Sequence, residues 1–114
     1  MIPGKYNIVC PQGSTLQQQF VYKVDDTPVD LTGYSARMQV REKHTSKIPT
    51  ISINTTSGGM TVDNLGAINI EVSASSTEDL VAKEYVYDLE IISSSNIVTR
   101  LIEGKFLVTP EVTR

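Results

Sequence analysis

Among its 114 residues the chain has no tryptophan, one cysteine, one histidine and two phenylalanines, and each scarcity closes off a class of chemistry. Without tryptophan there is no broad ring to line a sugar subsite. A lone cysteine cannot close an intramolecular disulfide, and no histidine stands near Cys10 in sequence to activate it. Cys10 is therefore expected to be a small buried or half-buried apolar residue and not a nucleophile. The single histidine, His44, lies in the polar run Arg41-Glu42-Lys43-His44-Thr45-Ser46-Lys47 and reads as a solvated loop residue. Nucleophilic catalysis with an imidazole base needs a serine or cysteine beside an oriented histidine. Zinc needs several His, Cys or carboxylate ligands at short spacings. One His and one Cys supply neither arrangement, so no catalytic residue, metal site or cofactor is predicted.

Long apolar runs are missing too. None approaches the roughly 20 residues of a membrane-spanning helix, and the start, MIPGKYNIVC, lacks the basic-then-apolar order of a secretion signal. The expectation is a mature chain made in the cytoplasm, with no membrane partner. Ten Lys plus Arg against thirteen Asp plus Glu, a formal net charge of -3, argues against phosphate contacts, so nucleic acid is not an expected partner. Hydrophobic residues at 39% and charged ones at 20% belong to a chain that folds. Its length fits one domain, residues 1–114, with no room for a second.

A period of two is what the chain does have, and a period of 3.6 is almost nowhere. In Tyr34 to Arg41, Tyr34, Ala36, Met38 and Val40 alternate with Ser35, Arg37, Gln39 and Arg41, the pattern of a strand with one wet face. Leu16 to Val24 places Leu16, Phe20, Tyr22 and Val24 on one side, with Gln18 out of pattern, and Ala67 to Val72 sets Ile68, Ile70 and Val72 against Asn69 and Glu71. Shorter candidates are Tyr6–Val9, Thr50–Asn54 and Met60–Val62; the longest are Tyr85–Ile92 and Ile97–Val108. Turn chemistry separates them at 11–13, 25–28, 57–59, 63–66 and 93–96. About eight short strands at such spacing point to an antiparallel sandwich or a small barrel. Ser75-Ser76-Thr77-Glu78 has capping-box spacing and predicts one helical turn near 76–81. Asp30-Leu31-Thr32-Gly33 reads as a tight turn that drops Leu31 into the core.

Two carboxylates invite a catalytic reading. In Glu84-Tyr85-Val86-Tyr87-Asp88-Leu89-Glu90-Ile91-Ile92, a strand would turn Tyr85, Tyr87, Leu89 and Ile91 one way and Val86, Asp88, Glu90 and Ile92 the other. Asp88 and Glu90 then stand about 7 Å apart on one face, a separation open to a glycosidase pair. A flat strand face offers no cleft, however, and the structural or interface reading is preferred. In the hairpin with Ile97 onward, Arg100 faces Asp88 in one register, Glu90 in another, and Leu89 in the register between them. Asp63 and the pair Asp25-Asp26 sit in turns without calcium-loop spacing. Ser57-Gly58-Gly59 is too short to cradle a phosphate and reads as a hairpin turn.

Val86 and Ile92 share the charged face, and Leu101 and Leu107 alternate out of phase with Ile102, Phe106 and Val108. Apolar residues therefore fall on both faces of the last two strands, and the second face calls for a cover from the chain itself or from a partner. Tyr6–Val9 and the tail Val108–Arg114 are the natural edge strands. The candidate interface residues are Tyr6, Ile8, Val86, Asp88, Glu90, Ile92, Arg100, Leu101, Leu107 and Val112.

The ordered blocks CPQGST (10–15), TPVDLTGYSARMQVR (27–41), GAINI (66–70), EYVYDLEI (84–91), and VTRLIEG through VTPEVTR (98–114) resemble small virion structural proteins of tailed bacteriophages. They are similar in style to the immunoglobulin-like N-terminal modules of phage baseplate proteins, in which a Leu-Thr-Gly turn feeds a central strand. The resemblance covers nearly the whole chain. It implies an all-β, antiparallel immunoglobulin-like β-sandwich of about 7–8 strands. The implied function is that of a non-catalytic subunit of the particle, as a baseplate, tail or neck adaptor or as capsid decoration. Such a subunit is located in the virion and docks through edge strands onto other virion proteins or onto copies of itself. The alternative is a glycan- or receptor-binding sandwich, for which the exposed Tyr and Gln residues speak and the missing tryptophan does not.

Overall fold

The computed structural model describes residues 4–112. In chain order its elements are β1 (Gly4–Lys5), β2 (Ile8–Pro11), β3 (Leu16–Val21), β4 (Lys23–Val24), β5 (Thr27–Pro28), β6 (Ser35–Arg41), β7 (Ile51–Asn54), β8 (Met60–Val62), β9 (Ala67–Val72), α1 (Ala74–Thr77), β10 (Glu84–Ile92) and β11 (Val98–Thr109). Six strands form one sheet in the order β1-β11-β10-β6-β7, with β2 also on β11; β3-β9-β8 form the second. This is an all-β sandwich whose strand order follows immunoglobulin-like domains, with two departures from the constant type: β7 is added beside β6, and the first strand changes sheet. The first strand, split into β1 and β2, does not join the three-stranded sheet but runs parallel to β11 at the edge of the larger one.

That split has a visible cause. Tyr6 and Asn7 leave the strand ladder above Gly104: Tyr6 N–H donates to the Glu103 carbonyl at 3.1 Å, Lys105 N–H donates to Asn7 Oδ1 at 3.0 Å, and Tyr87 Oη donates to the Tyr6 carbonyl at 2.6 Å. A side chain at position 104 would run into that carbonyl, so the crossing requires glycine there. The same lift turns Ile8 and Cys10 inward and leaves Val9 outward, 57% exposed.

The alternating strands place their apolar halves between the sheets. Ala36, Met38 and Val40 of β6, Ile68, Ile70 and Val72 of β9, and Tyr85, Tyr87, Leu89 and Ile91 of β10 are all buried. Each fully buried Leu, Ile or Val contributes about 1.5–3 kcal/mol by leaving water. Leu31 is in the core as expected, held by a turn in which Thr32 N–H donates to Asp30 Oδ1 at 2.9 Å. Tyr85 Oη donates to the Val81 carbonyl at 2.9 Å, which reproduces the tyrosine corner at the entrance to strand F of immunoglobulin-like domains.

Four expectations need correction. The helical turn spans 74–77, not 76–81, and its cap is Ser73, whose side chain accepts the Ser76 N–H; Glu78 falls at its end, where it cannot close a capping box. The turn starts early because Val72 ends β9 in the core and Thr77, also buried, ties back to the Ser14 carbonyl at 2.8 Å. The strand expected over 16–24 breaks at Tyr22. Lys23–Val24 instead pairs with Thr27–Pro28 around Asp25 and Asp26, both at positive φ, the signature of a two-residue hairpin turn. Ser57-Gly58-Gly59 does belong to a tight turn, closed by reciprocal Asn54 and Gly58 backbone hydrogen bonds at 3.2 and 3.0 Å, but the strands it joins, β7 and β8, lie in different sheets. Finally, the C-terminal tail is not a free edge: β2 covers β11 from Phe106 to Thr109, no strand is assigned to 110–112, and 113–114 lie outside the described residues.

Candidate functional site

The outward face of the six-stranded sheet gathers the charged halves of its central strands. β10 lies between β6 and β11, so Glu90 stands in register with Arg37 on one side and Arg100 on the other, Asp88 with Gln39 and Glu103, and Val86 with Arg41 and Lys105. The competition for Arg100 resolves diagonally. Arg100 is opposite Glu90, but Arg37 Nε already holds Glu90 Oε1 at 2.7 Å, and Arg100 Nε turns to Asp88 Oδ2 at 3.4 Å. Lys5 pairs with Glu103 and Lys105 with Glu84.

A register shift between Leu89 and Glu90 changes the face expected from the sequence. The extra residue on β11 is Leu101, and such a bulge lets two neighbouring side chains fall on the same side. Leu101 is buried and Ile102 packs against the core. Leu101 is therefore removed from the interface candidates, and Ile8, 2% exposed opposite Phe106, is removed with it. The second face is consequently not apolar but ionic. Val86 stands between Arg41 and Lys105, long side chains whose stems can cover it. Of the remaining candidates, Val86, Asp88, Glu90 and Ile92 are half-buried, while Tyr6, Arg100, Leu107 and Val112 are exposed. Val9 lies beside Leu107, also exposed; the sequence reading missed it because the strand was not known to lift at Tyr6.

Of these candidates Val86, Asp88, Glu90 and Arg100 line a concavity of about 700 Å³, to which Asn7 and His44 also contribute; Tyr6, Ile92, Leu107 and Val112 lie outside it. The loop after β6 is brought over it by Arg41, which donates to the Ser46 carbonyl at 2.7 Å and to Gln39 Oε1 at 2.6 Å. Five cationic side chains, Lys5, Arg37, Arg41, Arg100 and Lys105, meet three carboxylates, Asp88, Glu90 and Glu103, and Glu84 pairs with Lys105 outside that lining, so the face carries a small positive excess on a chain that is negative as a whole. Burial pushes the Asp88 carboxyl above its ordinary range; the Arg100 guanidinium works against this, and Glu90 and Glu103 work with it. Glu103 is held below its ordinary range, chiefly by its hydrogen bond from Lys5.

In chemical terms the arrangement is a surface of paired charges. All three carboxylates are engaged by cations. His44 is an exposed loop residue and Cys10 a fully buried one, as their surroundings in sequence predicted, and burial pushes the Cys10 thiol up. Among the described residues no group of three or more His, Cys, Asp or Glu is placed to hold a metal ion. Asp63 serves its own turn, accepting the Leu65 and Ala67 N–H groups. Compared with models of known protein families and with curated proteins, the chain matches none.

Proposed function

We propose that the chain is a non-catalytic structural subunit of a tailed-phage particle, made in the host cytoplasm and located in the virion, which docks onto other virion proteins. The observation that carries this reading is the ion-paired concave face: carboxylates already held by neighbouring cations, with cations in excess, on the central strands of a sheet, suit complementary contact with a protein surface. The sequence blocks behind the resemblance support it, since the Asp30–Gly33 turn feeds β6 and Glu84–Ile91 is the sheet's central strand. Mass spectrometry of purified particles tests it. The protein is expected among the virion components, and Arg41→Glu with Arg100→Glu is expected to lower its incorporation; absence from the particle overturns the reading.

The concavity favours one other use, as a glycan- or receptor-binding site, because its Asn7, Gln39, Asp88 and Glu90 side chains could meet sugar hydroxyls. A glycan array decides for or against it. Binding abolished by Asp88→Asn would support this second reading.

A further inference from the structure

The two sheets treat their edges differently. On the larger sheet, β1 carries Lys5 and β2 ends in Pro11, both devices that discourage a further strand from pairing. β7 has four residues and runs into the bridge between Asn54 and Gly59, and β8 has only three. β3 is different. It is a six-residue edge strand, Leu-Gln-Gln-Gln-Phe-Val, without a charge, proline or bulge, and among the described residues no strand pairs with its outer side.

Which backbone groups point outward follows from the ladder. Tyr22 N–H donates to the Gly66 carbonyl at 2.8 Å, and on the far side of β9 Glu71 N–H donates to the Gly59 carbonyl at 2.8 Å. Antiparallel alternation then directs the even-numbered residues of β3 toward β9 and the odd-numbered ones away from it. Gln17, Gln19 and Val21 thus present their N–H and C=O groups to an incoming strand. The contact found at that edge is a long one, Gln18 Nε2 to the Gln19 carbonyl at 3.4 Å.

We infer that β3 pairs with β3 of a second copy of this chain, antiparallel about a two-fold axis at Gln18. The segment Leu16–Phe20 has the same character read in either direction. Centring on Gln18 sets Gln17 opposite Gln19 of the second copy in two hydrogen-bonded pairs, Gln18 opposite Gln18 between them, and Leu16 opposite Phe20 on either flank. Odd positions meet odd positions, as the outward groups require. No charge faces a like charge, whereas two copies meeting through the concave face would bring positive surface against positive surface. The product is a continuous sheet of three strands from each copy, closed by an isologous contact, and it leaves the concave face of each subunit free. This inference goes beyond the particle reading and does not depend on it.

Sedimentation equilibrium of the full chain from micromolar to millimolar concentration tests the pairing. The unsubstituted chain is expected to double its mass with concentration. Gln17→Lys/Gln19→Lys, on exposed positions of the outer face, is expected to remain monomeric with an unchanged thermal melt; Gln17→Glu/Gln19→Glu is also expected to remain monomeric, with a lower melt because the new carboxylate at 17 faces Glu71, and mixing the two is expected to restore the dimer. Gln18→Cys keeps the strand neutral and checks the axis independently. At a non-hydrogen-bonded pair the two Cα atoms stand about 4.5 Å apart, within disulfide reach, so oxidation is expected to give a covalent dimer. A chain that stays monomeric throughout, a dimer that survives the lysine pair, or Gln18→Cys that fails to cross-link overturns the inference.

Discussion

On its inner face β10 places Tyr85, Tyr87, Leu89 and Ile91, none more than 4% exposed; on its outer face the alternate residues Val86, Asp88, Glu90 and Ile92 stay half-buried. The polar atoms of the inner face are two hydroxyls, each with one backbone carbonyl as partner. Those of the outer face are carboxylates paired with Arg37 of β6 and Arg100 of β11. The inner contacts fix the path of the chain, because each ties the strand to a distant or turning segment: Tyr85 to the approach from α1, Tyr87 to the lifted Tyr6. The outer contacts fix little, since exposed ion pairs contribute about 0.2–1 kcal/mol each and weaken with salt. One strand thus divides its work: the inner half specifies the fold and the outer half is free to specify a partner.

The contrast can be broken hardest at Leu89. It is fully buried opposite Ile102 and Met38, so Leu89→Ala is expected to cost about 2–5 kcal/mol, from lost burial plus the cavity left behind, read as a lower urea midpoint with an unchanged slope. Tyr85→Phe is the intermediate case. It keeps the ring and deletes one hydrogen bond to the Val81 carbonyl, with an expected cost of about 0.5–1.5 kcal/mol and faster hydrogen exchange at the residues after α1. If Tyr85→Phe were as stable as the parent, the inner hydroxyl would not be fixing the path of the chain.

The smallest effect is expected on the outer face, with the opposite sign. Burial raises the folded-state pKa of Asp88 above its ordinary 3.8, so the folded chain binds its proton more tightly than the unfolded one. Stability therefore falls as pH rises through the interval between 3.8 and the raised value, and below that interval both states are protonated and the cost vanishes. Asp88→Asn is expected to raise the melting temperature slightly at neutral pH, by no more than the ~1 kcal/mol scale of a partly exposed pair, and not at all in strong acid. A gain of equal size at both pH values would show that charge is not its cause.

Much of this was legible in the residues themselves. Strict alternation in β6, β9 and β10 located their buried halves, because one face of each is core and a shift of one residue would invert it. The ionic face was half legible. Arg37 and Arg41 were on a wet face, as were Asp88 and Glu90, but adjacency of β6 to β10 is a property of strand order, which local pattern does not encode. The bulge was hidden for a different reason: Leu101-Ile102 reads as one apolar residue on each face unless the strand is known to carry an extra residue there. Ser73 was missed as a cap because Ser75 and Glu78 offered a better local motif, and the tie from Thr77 to Ser14, 63 positions away, decided against it. The tyrosine corner had its signal in plain view, a tyrosine opening a strand just after a helical turn.

The parallel pairing of β1 and β2 with β11 has a consequence for the order of assembly. Gly4 finds its neighbour at Ile102, and Ile8 at Phe106, so β1 and β2 cannot pair until β11 has been synthesised. Until β11 emerges from the ribosome, the apolar side of Ile8 and Cys10 has no strand to lie against. Contacts of such long sequence separation slow folding and leave a nascent chain sticky in the interval. The split strand β1–β2 is therefore a latch that cannot close before β11 is in place, and the crossing of Tyr6 over Gly104 is where it catches.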